Sequence, residues 1–526
     1  MSTNQGMVLP IIQSEPGVPA TGQGRSRRPG DKRQSAAAKL LPLAENVFGV
    51  TDFRPLQREA IEASLAGQDS LVIMATGSGK SLCYQLPAVA ESGLTLVVSP
   101  LIALMDDQIM PLKERGIAAD CVHSGQHWRE NEETFRAAKE GRLRLLYVSP
   151  ERCDDLAFLP ILRQCEVRSL VIDEAHCISI WGPDFRPAYA KLGQLRVMFP
   201  HVPIAAFTAT ATSRVREQIK ESLMLRKPVE LIGDFDRPNL TLCVTLSAAN
   251  GLSRDDALLE SFRRLHSQFV IRNSSFADGI VYCPTRAETE RVAAMLSTAG
   301  ISARAYHAGL SPDERRSVHE WFLQPLAPST LEPSDSSTAV AVPPSAFTIP
   351  HSRIVVATIA FGMGIDKPDV RFVIHHGMPS SLDIYHQEIG RAGRDGKPAE
   401  CVLLYSPDDH HHWLSIFQNR DRQGADDPAY HGKMIALSDM EAFCGFKYRD
   451  ALPLCRHAHL VEYFGQEHRP PPVDPSRAPS PRIHAGGIHS GCNACDVCLS
   501  EPNPEPPHSC GGHSARGRAG GMSNGE

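Results

Sequence analysis

Short apolar strands alternate with helical stretches in two successive sets along this chain, and that rhythm leaves few folds open to it. In the first set, strands are expected at Ser70 to Met74, Thr95 to Ser99, Arg144 to Ser149, Ser169 to Ile172 and Ile204 to Thr208. In the second, they are expected at Gly279 to Cys283, Ala303 to Tyr306, Arg353 to Thr358 and Phe372 to His376. Short apolar runs separated by helices pair as parallel strands whose two faces are both covered. A length of 526 residues exceeds what one hydrophobic core spans. The expected fold class is therefore α/β, with two parallel-sheet lobes in series over residues 41–240 and 241–409 and a cleft between them.

The rest of the chain has other compositions. Residues 1–40 read as a disordered arm, rich in Gly, Ser, Pro and Gln and made basic by Arg25 to Arg33. Residues 324–352 form a Pro/Ser/Thr/Ala insert in the second lobe without helical or strand period, expected to be a flexible surface loop. Residues 410–500 are richer in Cys, His and aromatics, and 501–526 read as a disordered tail. The net charge of -6 advertises no global nucleic-acid surface, so any such surface has to be a local groove. The apolar stretch Leu94 to Met105 is broken by Ser99 and Pro100 and falls short of the roughly 20 residues of a membrane span. No membrane partner and no secretory signal are expected, which places the 14 cysteines in a reducing cytosol, where close spacing suggests metal.

Chemistry concentrates at strand ends. Directly after Leu71 to Met74 comes Ala75-Thr76-Gly77-Ser78-Gly79-Lys80-Ser81, opening a helix. Backbone N–H groups of such a loop cradle phosphates, Lys80 would neutralise β/γ-phosphate charge, and the Ser81 hydroxyl would ligate Mg²⁺. The usual phosphate-loop pattern has Gly where this chain has Met74. Asp173 and Glu174 end another apolar strand, a carboxylate for Mg²⁺ and a base for the attacking water. Trp181, Phe185 and Arg186 on the next loop suit stacked single-stranded bases, each contributing roughly 1–3 kcal/mol. Upstream, Gln57 offers an amide for the adenine edge, and Thr208 to Ala211 could link phosphate state to lobe position. Cys455, Cys492, Cys495 and Cys498, the last three spaced C-x₂-C-x₂-C, suit tetrahedral Zn²⁺, with Cys510 or a nearby His as substitute ligands.

Taken together these motifs resemble the superfamily-2 helicases of the DEAH-containing RecQ type. The likeness is carried by Phe53-Arg54-Pro55-x-Gln57, Ala75 to Ser81, Asp173 to Ser179 with Trp181-Gly182 and Asp184 to Pro187, and Phe235-Asp-Arg-Pro-Asn239. Farther on it is carried by Val281 to Arg286, Tyr306 to Gly309, Ala357-Thr358, Ala360 to Val370 and Gln387 to Gly396. The resemblance implies two RecA-like lobes followed by a small helical zinc-binding subdomain, with ATP, Mg²⁺ and Zn²⁺ as cofactors. It implies that Gln387 joins the nucleotide site, that Arg391 and Arg394 reach across the cleft as arginine fingers, and that His176 joins the ATP site to the DNA side. Segments Ser99 to Gln108, Tyr147 to Arg152 and Ala357 to Asp366 would hold a single strand through its phosphates.

The implied activity is a 3′ to 5′ DNA helicase acting on single-stranded and forked DNA in recombination and repair, with single-strand-binding protein or repair factors as partners. The implied location is the cytoplasm, with the nucleoid in a bacterium. Two alternatives stand beside it: an ATP-dependent clamp or strand-stimulated ATPase without efficient unwinding, and an RNA helicase. The Cys177-Ile-Ser179 and Trp181-Gly182 loop is a RecQ-type feature and ranks DNA first. Family members commonly continue into a winged helix after the zinc subdomain, whereas only a short tail follows Cys498, so strand separation is expected to be the weakest step. The loop also departs from the family at Ile180 and Pro183, where Gln and His are usual. Proline lacks a donor and stiffens the loop, so stacking is expected to persist while DNA-to-ATP signalling weakens.

Overall fold

Among the described residues, seven short strands, most of them apolar and buried, carry the first sheet of the computed structural model. They are β1 (Ser70–Ile73), β2 (Leu94–Val98), β3 (Ala119–Val122), β4 (Leu145–Val148), β5 (Val167–Ile172), β6 (Ile204–Thr208) and β7 (Val229–Ile232). All pair in parallel, in the order β3-β4-β2-β5-β6-β1-β7. Every residue of β1, β2, β4 and β6 is buried, as a sheet covered on both faces requires. The second sheet holds β8 (Leu240–Leu246), β9 (Gly279–Tyr282), β10 (Ala303–Tyr306), β11 (Ile354–Ala357), β12 (Phe372–His375) and β13 (Ala399–Tyr405). It too is parallel throughout, in the order β10-β11-β9-β12-β13-β8. The structure is thus two parallel-sheet lobes of the RecA-like kind.

The structure describes residues 30–100, 102–123, 126, 128–155, 157–179, 185–247, 252–271, 278–324, 352–362, 367–420, 428–445, 455–468, 482–484, 487–489 and 495. The chain divides into a unit of residues 1–51 and a unit of residues 52–526 that contains both sheets. In the first, the helix Gly30–Phe48 begins inside the segment read as a disordered arm. Its run Ala36-Ala-Ala-Lys-Leu-Leu41 is made of strong helix formers, which the Gly- and Pro-rich composition upstream had masked. Nearly all of the insert 324–352 and the whole tail 501–526 lie outside the described residues.

Sheet order positions the chemistry. Because β6 lies between β5 and β1, the loop after β1 and the carboxylates after β5 emerge at one sheet edge, about 10 Å apart at the usual strand spacing. Thr208 to Thr210, following β6, stand between them. Loops at the carboxyl ends of parallel strands are where such sheets bind ligands.

Among the described residues, three helices, Asp408–Arg420, Pro428–Cys444 and Arg456–Tyr463, follow the second sheet. Phe417, Leu437, Met440, Phe443 and Leu460 from them join the apolar core of the second lobe. Beyond them Arg482–His484 pairs antiparallel with Gly487–His489, and Cys495 forms a bridge to Leu242 on the edge strand β8. Among the described residues no helix is long and apolar enough to cross a membrane.

Candidate active site

The phosphate loop is shaped by two glycines that no other residue could replace without strain. Gly77 has φ +79° and Gly79 has φ +82°, both left-handed. Space is closed as well: a Cβ on Gly79 would stand 2.4 Å from Gln57 Nε2, and one on Gly77 would stand 2.7 Å from Arg394 Cδ and Nε. Gln57 is the brace of this loop. Its Nε2 donates to the carbonyls of Ser78 (2.9 Å) and Gly79 (3.1 Å), and its Oε1 accepts from the Arg54 N–H (2.9 Å). The amide read from sequence as an adenine reader is therefore turned onto the phosphate loop and is 2% exposed. Lys80 Nζ donates to the Met74 carbonyl at 3.1 Å, lying back along its own loop, and Thr76 and Ser81 are partly exposed in the same turn.

Asp173 is buried at the end of β5, its Oδ1 accepting from the Glu174 N–H at 3.0 Å. Burial first, and the neighbouring Glu174 next, push its carboxyl up to about 7, with Lys80 acting in the opposite sense. Glu174 takes a left-handed backbone (φ 48°), and its Oε2 lies 3.3 Å from His176 Nδ1 with no hydrogen bond among the described residues. His176 Nδ1 is also 2.8 Å from Thr208 Oγ1, so the carboxylate pair reaches the β6 turn through one imidazole.

An oxygen donor set with a buried, disfavoured carboxylate fits a divalent cation, and Asp173 and Ser81 are the residues that would hold Mg²⁺. The sign for pH follows. Between the ordinary aspartate value of 3.8 and about 7, the folded chain keeps a proton that the unfolded chain releases, so metal-free stability falls as pH rises through that window. A bound dication favours the charged form, so the rise in Tm on adding Mg²⁺ with nucleotide should be larger at pH 8 than at pH 6. Thermal melts at the two pH values check this; an equal rise would mean that Asp173 does not meet the cation.

The second lobe completes the site. Arg394 lies against Gly77, while Arg391 is buried in its own lobe with Nη2 2.7 Å from where a Gly362 Cβ would stand. Arg391 Nε and Nη1 have no hydrogen-bond partner among the described residues. Gln387 Nε2 donates to Thr210 Oγ1 at 3.2 Å, a direct bond between lobes.

The linker motif does more than sequence reading assigned to it. Arg237 Nη2 donates to the carbonyls of Ala392 (2.8 Å) and Gly393 (2.9 Å). Asn239 Nδ2 donates to those of Gly393 (2.9 Å) and Lys397 (3.0 Å), so the linker grips the backbone that carries both arginines. Spacing within the motif contains no sign of this, since its partners lie some 150 residues on.

On the strand side, Arg186 Nη1 donates to the Pro100 carbonyl at 2.7 Å, tying the aromatic loop to the segment beginning at Ser99. Phe185 is partly exposed beside it; Ile180, Trp181 and Pro183 lie outside the described residues. Gln108 Oε1 accepts from Tyr84 (2.7 Å) and Tyr147 (3.0 Å), joining two candidate strand segments to the helix Leu82–Ala90 behind the phosphate loop. That network also escaped sequence reading.

Of the four proposed zinc ligands, Cys455 and Cys495 are described, with their sulfurs 3.9 Å apart. Tetrahedral zinc with Zn–S of about 2.3 Å separates its sulfurs by about 3.8 Å, so this pair fits one metal. Cys492 and Cys498 lie outside the described residues. A second group, Asp106, Cys121 and His123, brings its ligand atoms within 4.8 Å of one another. There burial, with Asp106 and Asp120 nearby, pushes the Cys121 thiol up to about 12, and Gln126 Nε2 donates to its sulfur at 3.4 Å. These features describe a packed thiol.

Two parallel-sheet lobes, with a glycine-rich loop on one and an arginine from the other resting on it, are the arrangement of the two-lobe DEAD/DEAH-box class. A DEAD/DEAH box helicase model matches residues 54–219, and a helicase conserved C-terminal domain model matches residues 345–396. The chain is similar to proteins of the RecQ family. It is 40% identical over 464 residues to the ATP-dependent DNA helicase RecQ of Pasteurella multocida (strain Pm70), covering 88% of this chain and 62% of that one. To the protein of the same name from Haemophilus influenzae it is 39% identical, covering 88% and 64%. The chain thus spans a little under two thirds of the length of these curated relatives. In fold it is similar to the solved structure of Mss116p bound to ssRNA and AMP-PNP, with a TM-score of 0.55 and 16% identity over 85% of this chain and 92% of that one.

Proposed function

We propose that this chain is an ATP-dependent DNA helicase that hydrolyses ATP in the cleft and moves 3′ to 5′ along a single strand, separating duplex or forked DNA. The observation that supports it most is Arg394 lying against Gly77 while Gln387 bonds Thr210, so that a phosphate held by the loop meets the second lobe only when the lobes are together. The loop N–H groups and Lys80 would hold the β- and γ-phosphates, Lys80 exchanging its present Met74 carbonyl for them. Glu174 would take the proton of the attacking water, with His176 beside it, while Arg394 stabilises charge on the transferred phosphoryl group. Bound Mg²⁺ would neutralise phosphate charge between Ser81 and Asp173. Arg394 is the principal finger in this reading, and Arg391 supports the loop that carries it.

Coupling to the strand would run from Phe185 and Arg186, through Pro100 and through His176 and Thr208, to the hydrolytic edge. Single-stranded and forked DNA are the proposed partners, met in the cytoplasm, with repair factors beyond them. The test measures ATP turnover and strand separation in parallel on forked, tailed and blunt DNA and on RNA of matched length. Turnover stimulated by DNA with separation of forks is expected; stimulation by RNA alone, or ATP-dependent binding without separation on any substrate, would replace this reading with one of its alternatives.

Zinc at Cys455, Cys492, Cys495 and Cys498 would staple the C-terminal helices to β8, a structural role. Metal analysis should find about one zinc per chain, and Cys455→Ser should release it and lower Tm. Full zinc content in that variant would exclude Cys455 as a ligand.

A further inference from the structure

We propose that the turn Phe464-Gly465-Gln466 is a staple across the hinge between the lobes, setting where Arg394 meets the phosphate loop. This rests on the motor reading above.

The turn follows the helix Arg456–Tyr463 and touches three bodies. On the first lobe, the Phe464 carbonyl accepts from Arg216 Nη2 at 3.2 Å. Gly465 has φ +77°, and a Cβ there would stand 2.6 Å from Ser213 Oγ, so the backbone approaches as only glycine allows. On the linker, the fully buried Phe464 ring stacks on Phe235 with centroids 4.4 Å apart and planes at 15°. On the second lobe, the same ring meets His386 edge-on at 5.0 Å, and Tyr463 Oη donates to Asp383 Oδ2 at 2.7 Å.

Gln466 makes the arrangement a staple. Its Nε2 donates to the Gly233 carbonyl at 2.8 Å, and its Oε1 accepts from the Phe235 N–H at 3.1 Å. One side-chain amide therefore pins the backbone on both sides of Asp234, where the chain leaves the first sheet for the second. Hinges work by a few residues absorbing a backbone change, and this amide limits that change at two adjacent peptides.

Both supports of Arg394 hang from the stapled residues. Phe235 begins the motif whose Arg237 and Asn239 grip the carbonyls of Ala392, Gly393 and Lys397. His386, whose Nε2 donates to the Phe235 carbonyl at 3.1 Å, sits on the helix Leu382–Ile389 that runs into the arginine loop and carries Gln387. The helix bearing the turn is capped by Cys455, and its His457 Nδ1 donates to Asp236 Oδ1 at 2.6 Å, so the cysteine cluster is joined to the same hinge.

A misplacement of about 1 Å can cost on the order of 10²-fold in rate without touching the reacting atoms. Gln466→Ala removes the staple from a partly exposed side chain and should leave both sheets folded. The expected result is a fall of about tenfold or more in strand-stimulated kcat, with the KM for ATP changing less than about threefold. Hydrogen exchange should quicken at residues 233–237 and 390–397 while the strands of both sheets keep their protection, and the extra protection of 390–397 on binding AMP-PNP should be lost. Phe464→Leu, which keeps apolar burial but not the stack, should show the same pattern.

An unchanged kcat with unchanged exchange at 390–397 would overturn the staple. So would exchange quickened evenly through both sheets, the mark of general destabilisation. If the unmutated chain shows no strand-stimulated turnover, the motor reading fails, and the AMP-PNP exchange comparison still decides the staple by itself.

Discussion

Replacing Arg394 by Ala should lower strand-stimulated ATP turnover about 10³-fold, the scale associated with an arginine finger, while the KM for ATP moves far less. That loss corresponds to about 4 kcal/mol of transition-state stabilisation. The expectation rests on where the side chain lies: its Cδ and Nε would collide with any Cβ on Gly77, so it is already packed on the loop that would carry the phosphates. Arg391 is buried beside Gly362 in its own lobe, and Arg391→Ala should act mainly through the shape of the second lobe, lowering both Tm and turnover. Single-turnover hydrolysis with saturating DNA separates chemistry from binding. If the two variants lose the same rate at unchanged Tm, both arginines act on the phosphoryl group and the distinction drawn between them is wrong.

Glu174→Gln should lower turnover about 10² to 10⁴-fold, the range of a general base, while nucleotide still binds. The substitution keeps the volume and removes the proton acceptor. It also removes the neighbouring charge that is the second cause, after burial, of the raised Asp173 carboxyl, so cation affinity should not suffer. Lys80→Ala should behave differently, weakening nucleotide binding as well, because the ammonium meets ground-state phosphate. Equilibrium binding of a fluorescent ATP analogue, read beside turnover, distinguishes the two; normal turnover in Glu174→Gln would remove Glu174 from the base role.

Much of this molecule can be read without coordinates, and the parts that resist share a cause. β1, β2, β4, β5, β6, β9, β10, β11 and β12 lie where short apolar runs between helices predict them. β7 is a partly exposed edge strand, β3 carries Asp120, and β13 is a fully buried run, which periodicity alone does not separate from a buried helix. At the site, the Gly77 to Ser81 loop and the Asp173-Glu174 pair are legible because each is a contiguous motif tied to a strand end. The turning of Gln57 onto the loop, the grip of Arg237 and Asn239 on the arginine loop and the tie from Arg186 to Pro100 are not legible. Each is a side chain meeting a backbone carbonyl far away in sequence, and a carbonyl has no residue type to recognise.

What the sequence by itself determined is the class of fold, the glycine-rich and acidic motifs at the strand ends, and the likeness to the RecQ family. These depend on local spacing, apolar period and glycine's freedom at positive φ, all properties of neighbouring residues. Only the tertiary structure decided which arginine lies on the phosphate loop, which way the Gln57 amide faces, and that one glutamine amide spans the hinge. Those outcomes depend on strand order, which sets β6 between β1 and β5, and on the packing of Phe464 between Phe235 and His386. Directional bonds between distant segments form only after burial has placed their donors and acceptors within about 3 Å of each other.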